Sequence, residues 1–145
     1  MLLRVGLPAL ALGLSLLAAA APGGAQIDPN DPLGLGTKLG VQSLNNSGQV
    51  GTVTLFRRGA GHALVDVSLS GVSPAKIELA SIRRGHDCAG AITPQAAFVL
   101  NDVHKARSRT ALAASEATLL SGNYIVVVAS KQTPSHYLAC GHLYR

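Results

Sequence analysis

Alternation of apolar and polar residues with a period of two runs through much of this chain and predicts β-strands. The clearest example is residues 62–69, where four apolar residues alternate with polar ones and only Leu64 breaks the pattern. Such a segment is typical of an antiparallel strand with one face in a core. The pattern places Asp66 on the polar face of this strand.

The densest apolar run lies within Asn123–Gly141. Its first part, Tyr124–Ala129, is rich in β-branched residues and predicts a buried strand. A polar turn around Pro134 leads to a second short strand, Tyr137–Cys140. We expect these two strands to pair and to close the fold at Cys140.

Further strands are separated by turns rich in Gly, Pro and Asn. The predicted segments are Gln49–Phe56, Ala75–Ile82, Ala96–Leu100 and Arg109–Ser115. Glu116–Ser121 is predicted as a short helical turn, and beyond the N-terminal apolar run no segment has a long helical period. About seven to eight short strands favour an all-β sandwich or barrel over an α+β fold.

The N-terminal 25 residues have the layout of a secretory signal peptide. Arg4 precedes the apolar run Val5–Ala21, and the small residues Gly23–Ala25 follow. We predict export to the periplasm or the exterior, with cleavage after Ala25. An uncleaved membrane anchor is the alternative, because an apolar run of about 17 residues is at the short limit of a spanning helix.

Residues 26–40 contain Pro, Gly and Asp in a pattern typical of a flexible tether. The folded domain is therefore expected at 41–145. Removal of Arg4 with the signal leaves eleven basic and seven acidic side chains, a formal charge of +4. With two Phe, three Tyr and no Trp, this composition argues against nucleic-acid binding.

The most basic segment carries Lys105, Arg107 and Arg109. These residues are a candidate patch for an anion or an anionic envelope surface. A solvent-exposed hairpin with no binding role is the alternative.

The chain has two cysteines, Cys88 and Cys140. An even number in an exported protein favours one disulfide bond. Two free buried thiols, or two ligands of a soft metal, are the alternatives. Neither cysteine has a second one at the spacing of a zinc finger, which favours the disulfide.

Four blocks of sequence together resemble the copper/zinc superoxide dismutases and the related chordin-type (CHRD) domains. They are SLNNSGQVGTVTLF, GHALVDVSLSGVSPAKIELASIRRGHDC, YIVVVAS and YLACGHLYR, and they cover Val41–Tyr144. The resemblance implies an immunoglobulin-like Greek-key β-sandwich of antiparallel strands. It also implies a disulfide between a loop after the third or fourth strand and the last strand.

The chain departs from this family at the metal ligands. Ser81 and Arg83 stand where the resemblance implies a pair of copper-binding histidines, and Ala129 stands at another histidine position. The zinc-binding loop is reduced to Ala89–Pro94, which contains no ligand. Redox copper needs several imidazoles in a fixed arrangement, so these departures argue against dismutase activity.

His86 and His142 are weak candidates for a displaced metal site, since a disulfide between Cys88 and Cys140 would bring them near each other. Polar surface histidines are the simpler interpretation. No Gly-x-Ser-x-Gly motif points to a hydrolase. We therefore expect a non-catalytic binding or structural module without cofactor, membrane span after cleavage or nucleic-acid partner, and with a partner in the envelope or exterior. The alternative is a residual dismutase or another copper- or zinc-dependent enzyme that uses His86, His104 or His142.

Overall fold

The computed structural model of this protein describes residues 34–145. This range contains nine strands and one single-turn helix. They are β1 (Thr37–Ser43), β2 (Val50–Arg57), β3 (Ala63–Ser70), β4 (Ile77–Arg84), β5 (Phe98–Val99), β6 (Val103–His104), β7 (Arg107–Leu112), α1 (Glu116–Leu119), β8 (Tyr124–Ser130) and β9 (Tyr137–His142). The predicted signal peptide and most of the predicted tether lie outside the described residues. No helix within 34–145 is long and apolar enough to cross a membrane.

The strands form one antiparallel sheet that closes on itself. Strand β4 pairs with β8 along one edge, through seven residue pairs from Glu78↔Ser130 to Arg84↔Tyr124. Its other edge pairs with β6 and, further along, with β5. The ring runs β4-β6-β7-β3-β2-β1-β9-β8 and returns to β4, with β5 as a short addition. The all-β prediction is confirmed, but the β4–β8 pairing makes an eight-stranded barrel rather than a clear two-sheet sandwich.

Hairpins join the neighbouring pairs β1–β2, β2–β3, β6–β7 and β8–β9, and the longest connection is the loop of residues 85–97 between β4 and β5. Strands β3 and β4 follow each other in the chain, yet β6 and β7 lie between them in the sheet. Another long connection, residues 113–123, carries α1 between β7 and β8. This helix is capped by Ser115, whose hydroxyl accepts a hydrogen bond from the Thr118 backbone N–H.

Strand β8 is buried on both faces, which explains its continuous apolar run. Tyr124, Val126 and Val128 belong to the cluster that fills the barrel interior. Ile125 and Val127 point outward into a second cluster. The remaining members of that outer cluster are Cys88, Cys140, Leu44, Ile92 and Tyr137. The barrel therefore carries a small apolar layer on the outside of β8, under the loop that holds Cys88.

Two predicted boundaries were wrong. Strand β1 begins at Thr37, and its residues Thr37–Gly40 pair with β2, so the tether ends before Thr37 rather than at residue 40. Strand β7 runs over Arg107–Leu112 instead of Arg109–Ser115, and β6 was not predicted. Strand β1 follows a segment rich in Gly and Pro, and β7 is basic, so neither has the run of β-branched and aromatic residues by which sequence patterns recognise strands.

Candidate functional site

The three positions where the resemblance implies metal ligands lie on one outer face of the barrel. Ser81 is paired with Val127, and Ala129 is paired with Leu79, two residues from Ser81 on β4. Arg83 is paired with Ile125. Because directly paired residues share a face of a sheet, Ser81, Arg83 and Ala129 lie on the outward face of β4 and β8.

The side chain of Arg83 fills this face. Its Nε donates to Ser81 Oγ at 3.0 Å, and its Nη1 donates to the Thr93 carbonyl at 3.0 Å. Nη1 also donates to the Tyr137 hydroxyl at 3.0 Å, and the guanidinium lies 5.1 Å from the centroid of that ring. Arg83 is only 9% exposed. It therefore connects β4, the loop after β4 and β9 at the place where the resemblance implies a metal.

Within residues 34–145, no carboxylate forms an ion pair with Arg83. Among the described ion pairs, none includes Arg83 within the 4.0 Å limit for a salt bridge. A metal cation about 4 Å away would be repelled by about 4 kcal/mol per unit charge at an effective dielectric constant near 20. Ser81 and Ala129 supply no imidazole. The residues on this face do not fit a copper or zinc ion.

His86 and His142 lie close together as predicted, but the contact joins the ring of His142 to the backbone of His86 and not to its ring. His142 Nδ1 lies 2.9 Å from the His86 carbonyl oxygen. The His142 ring packs edge-on against Tyr144, with centroids 5.1 Å apart. His104 lies elsewhere, on β6 opposite Ile77. Within residues 34–145, no three His, Cys, Asp or Glu side chains are arranged to hold a metal ion.

Asp87 follows His86 and precedes Cys88, and its side chain holds the turn that comes next. Its Oδ1 accepts hydrogen bonds from the backbone N–H groups of Gly90 at 2.9 Å and Ala89 at 3.0 Å. These bonds, Gly90 first, hold the pKa of Asp87 below its ordinary value, and the nearby histidines His142 and His86 lower it further. The carboxylate therefore serves as a cap for this turn.

The predicted disulfide is confirmed. Cys88 and Cys140 are bonded with a Cα–Cα distance of 5.9 Å, and both are buried. The bond ties the loop after β4 to the last strand. It is the covalent part of the outer apolar cluster.

The positive charge of the candidate basic patch is partly neutralised by Asp66 of β3. Arg107 makes two hydrogen bonds to the carboxylate of Asp66, through Nε at 3.0 Å and Nη2 at 2.6 Å. Arg109 Nε lies 3.2 Å from the same carboxylate. The hydrogen bond to Asp66 and its negative charge raise the pKa of Arg107. Lys105 lies in the turn before β7, with a left-handed φ of 50°.

These contacts explain the burial of Asp66. It lies on the polar face of β3, yet it is buried, because the arginines of β7 cover it. Two of the three cations proposed for an external anion thus already share an internal one.

A cleft of about 830 Å³ lies between the β2–β3 turn, α1 and the end of the described chain. Its charged and aromatic lining residues are Arg57, His86, Glu116, Tyr144 and Arg145. Arg145 donates to the Thr37 hydroxyl at 2.7 Å, and that hydroxyl donates to Glu116. Sequence reasoning missed this cleft, because its lining residues come from four separated segments and no local motif joins them.

A second unusual feature lies in the buried pair of Gln49 and Glu78. Gln49 Nε2 donates to Glu78 Oε1 at 2.6 Å. The remaining oxygens, Gln49 Oε1 and Glu78 Oε2, are buried without a donor among the described residues. Each side chain of this pair thus keeps one buried acceptor without a hydrogen bond among the described residues.

Comparison of the chain with family models, with curated proteins and with solved structures found no match. The resemblance to superoxide dismutases and CHRD domains therefore stays a prediction from the sequence. What the structure establishes is an antiparallel all-β barrel with one disulfide.

Proposed function

We propose that this protein is an exported, non-catalytic binding module on a dismutase-like Greek-key scaffold. The order of strands supports the scaffold. Strands β4, β6 and β7 lie side by side, and β3, which precedes them in the chain, lies next to β7. This order is consistent with a Greek key in which the segment that contains β5 joins β4 to β6. The signal-like N-terminus and the buried disulfide support export.

The position of Arg83 is the observation that carries the non-catalytic proposal. Its guanidinium is hydrogen-bonded to Ser81, Thr93 and Tyr137. A fixed positive charge and the absence of imidazoles at Ser81 and Ala129 both oppose cation binding. The face instead works as a polar cross-link that holds the loop after β4 onto the barrel.

A residual copper- or zinc-dependent activity is the second candidate, and the contact between His142 and His86 is the observation that favours it. One experiment separates the two. The oxidised protein is incubated with Cu²⁺ and Zn²⁺ and dialysed, and the bound metal and the consumption of superoxide are measured. We expect neither retained metal nor activity. Stoichiometric copper that is lost in His86→Ala or His142→Ala would overturn the proposal.

We propose the cleft beside α1 as the binding surface of the module. Its volume of about 830 Å³ falls in the range of small-molecule sites, and it combines arginines with an aromatic ring. Titration of the ¹⁵N-labelled protein with a library of small fragments tests this. Amide shifts should cluster at Gly59, Gly61 and Gly122, which line the cleft. Shifts that cluster at another surface would contradict it.

A further inference from the structure

Only some of the N–H groups of the Arg83 guanidinium donate a hydrogen bond to a described residue. A guanidinium carries five N–H bonds. Nε uses one for Ser81, and Nη1 uses two for Thr93 and Tyr137. Across residues 34–145, Nη2 has no acceptor. Its two N–H bonds are therefore available to another group.

The hydroxyl groups of Ser81 and Tyr137 beside Arg83 also carry hydrogen atoms that are not used in a hydrogen bond among the described residues. Ser81 Oγ and Tyr137 Oη each accept a hydrogen bond from Arg83. A hydroxyl that accepts still has its own O–H to donate, and the described residues offer neither hydroxyl an acceptor. The guanidinium therefore has two hydroxyl donors beside it with their protons uncommitted.

Charge and access favour an anion as the missing acceptor. A buried cation without a counter-charge is costly, and Arg83 has no carboxylate partner in the described part of the chain. Nη2 is not among the fully buried atoms that lack a partner, so it reaches solvent. Its neighbour Thr93 is exposed, which places the donors close to the surface.

We propose that Arg83, Tyr137 and Ser81 form a binding site for a small carboxylate-type oxyanion, such as formate, acetate or bicarbonate. The N–H bonds of Nη2 and the two hydroxyl protons donate to the oxygens of the anion. A carboxylate presents two oxygens, so one can accept from Nη2 while the other accepts from a hydroxyl, which favours this class over a halide. The inference rests on the proposed function in taking Arg83, and not a metal, as the occupant of this face.

The test is a titration of the full oxidised protein with sodium formate at constant ionic strength. The readout is the NMR signal of the Arg83 Nε–H group, assigned by its loss in Arg83→Gln. We expect a saturable shift of this signal. Tyr137→Phe keeps the ring but removes the hydroxyl donor, and it should weaken binding about tenfold, as expected for one hydrogen bond to a charged group.

Arg84→Gln is the matched control. Arg84 is the next residue, is exposed, and lies 5.5 Å from the Tyr124 ring centroid. This variant should bind formate as the wild type does. No shift, a shift that does not saturate, or equal affinity in Tyr137→Phe would overturn the site. Metal content measured on the same sample separates the outcomes, since failure of formate binding without bound metal leaves the non-catalytic proposal intact.

Discussion

Gly51 is the second residue of β2, where the backbone of β3 comes unusually close. It is paired with Val41 of β1 on one side and Leu69 of β3 on the other. A Cβ added at Gly51 would lie 2.0 Å from the Ser68 carbonyl oxygen and 2.9 Å from Leu69 Cα. Both neighbours are backbone atoms held in the ladder. Gly51→Ala must therefore push β3 away by about 1 Å before the contact becomes tolerable.

The expected loss of stability follows from this displacement. Two ladder hydrogen bonds of β3 near Ser68 would weaken, at about 1 kcal/mol each. Overpacking of a rigid region adds about 1–3 kcal/mol. We expect the free energy of unfolding to fall by about 3–5 kcal/mol, a large fraction of the roughly 5–15 kcal/mol that a domain of this kind has.

Gly40→Ala is the matched control, because Gly40 lies in the adjacent strand opposite Thr52 and its added Cβ would meet nothing within 4 Å. It should change stability by less than about 1 kcal/mol, since replacing glycine also reduces the entropy of the unfolded chain. Urea unfolding followed by circular dichroism measures both variants. Equal stability of Gly51→Ala and Gly40→Ala would refute the argument from backbone contact.

Three further predictions concern the disulfide, the buried pair and the loop cap. Replacing Cys88 and Cys140 together by Ala releases a 52-residue closure, and the urea midpoint should report a loss of about 4 kcal/mol; a loss below about 1 kcal/mol would contradict it. Glu78→Gln keeps the shape of the side chain and supplies an N–H for the buried Gln49 Oε1, so the melting temperature should rise by the equivalent of about 1–2 kcal/mol; a fall would show that the two side chains do not meet in this way. The pKa of Asp87 lies below its ordinary value of 3.8, so the carboxylate stabilises the fold above that value, and this stability is lost as the pH falls through the lowered pKa. Asp87→Asn should remove this loss of stability at acid pH. An NMR titration that gives the carboxyl a pKa at or above its ordinary value would exclude the cap.

The strand pattern was predictable where one face is apolar, and it failed where polar side chains are covered by other strands. The alternation in β3 correctly placed Val65 and Val67 in the core. It placed Asp66 on the polar face but could not show that Asp66 is buried, because no local pattern reveals that Arg107 and Arg109 of β7 lie across it. Strand β1 was missed for a related reason, since Thr37–Gly40 becomes a strand only through pairing with β2.

The sequence predicted where the candidate site lies, but not which residues contact Arg83 there. The resemblance pointed to Ser81, Arg83 and Ala129, and these residues do share one face. The partners of Arg83 were beyond sequence reasoning. Thr93 and Tyr137 lie 10 and 54 residues away in the chain, and their approach depends on the path of the loop that Cys88 anchors. Cross-strand and loop contacts of this kind depend on tertiary structure rather than on local spacing.

Closure of the sheet between β4 and β8 also affects how this protein behaves in a crowded environment. In an open sheet, the outer strands present unpaired N–H and C=O groups that recruit strands from other molecules. Here β4 has β8 on one edge and β5 and β6 on the other. Within residues 34–145, the ring therefore leaves few strand edges open to edge-to-edge aggregation or to an added peptide strand, chiefly the outer edge of the two-residue β5.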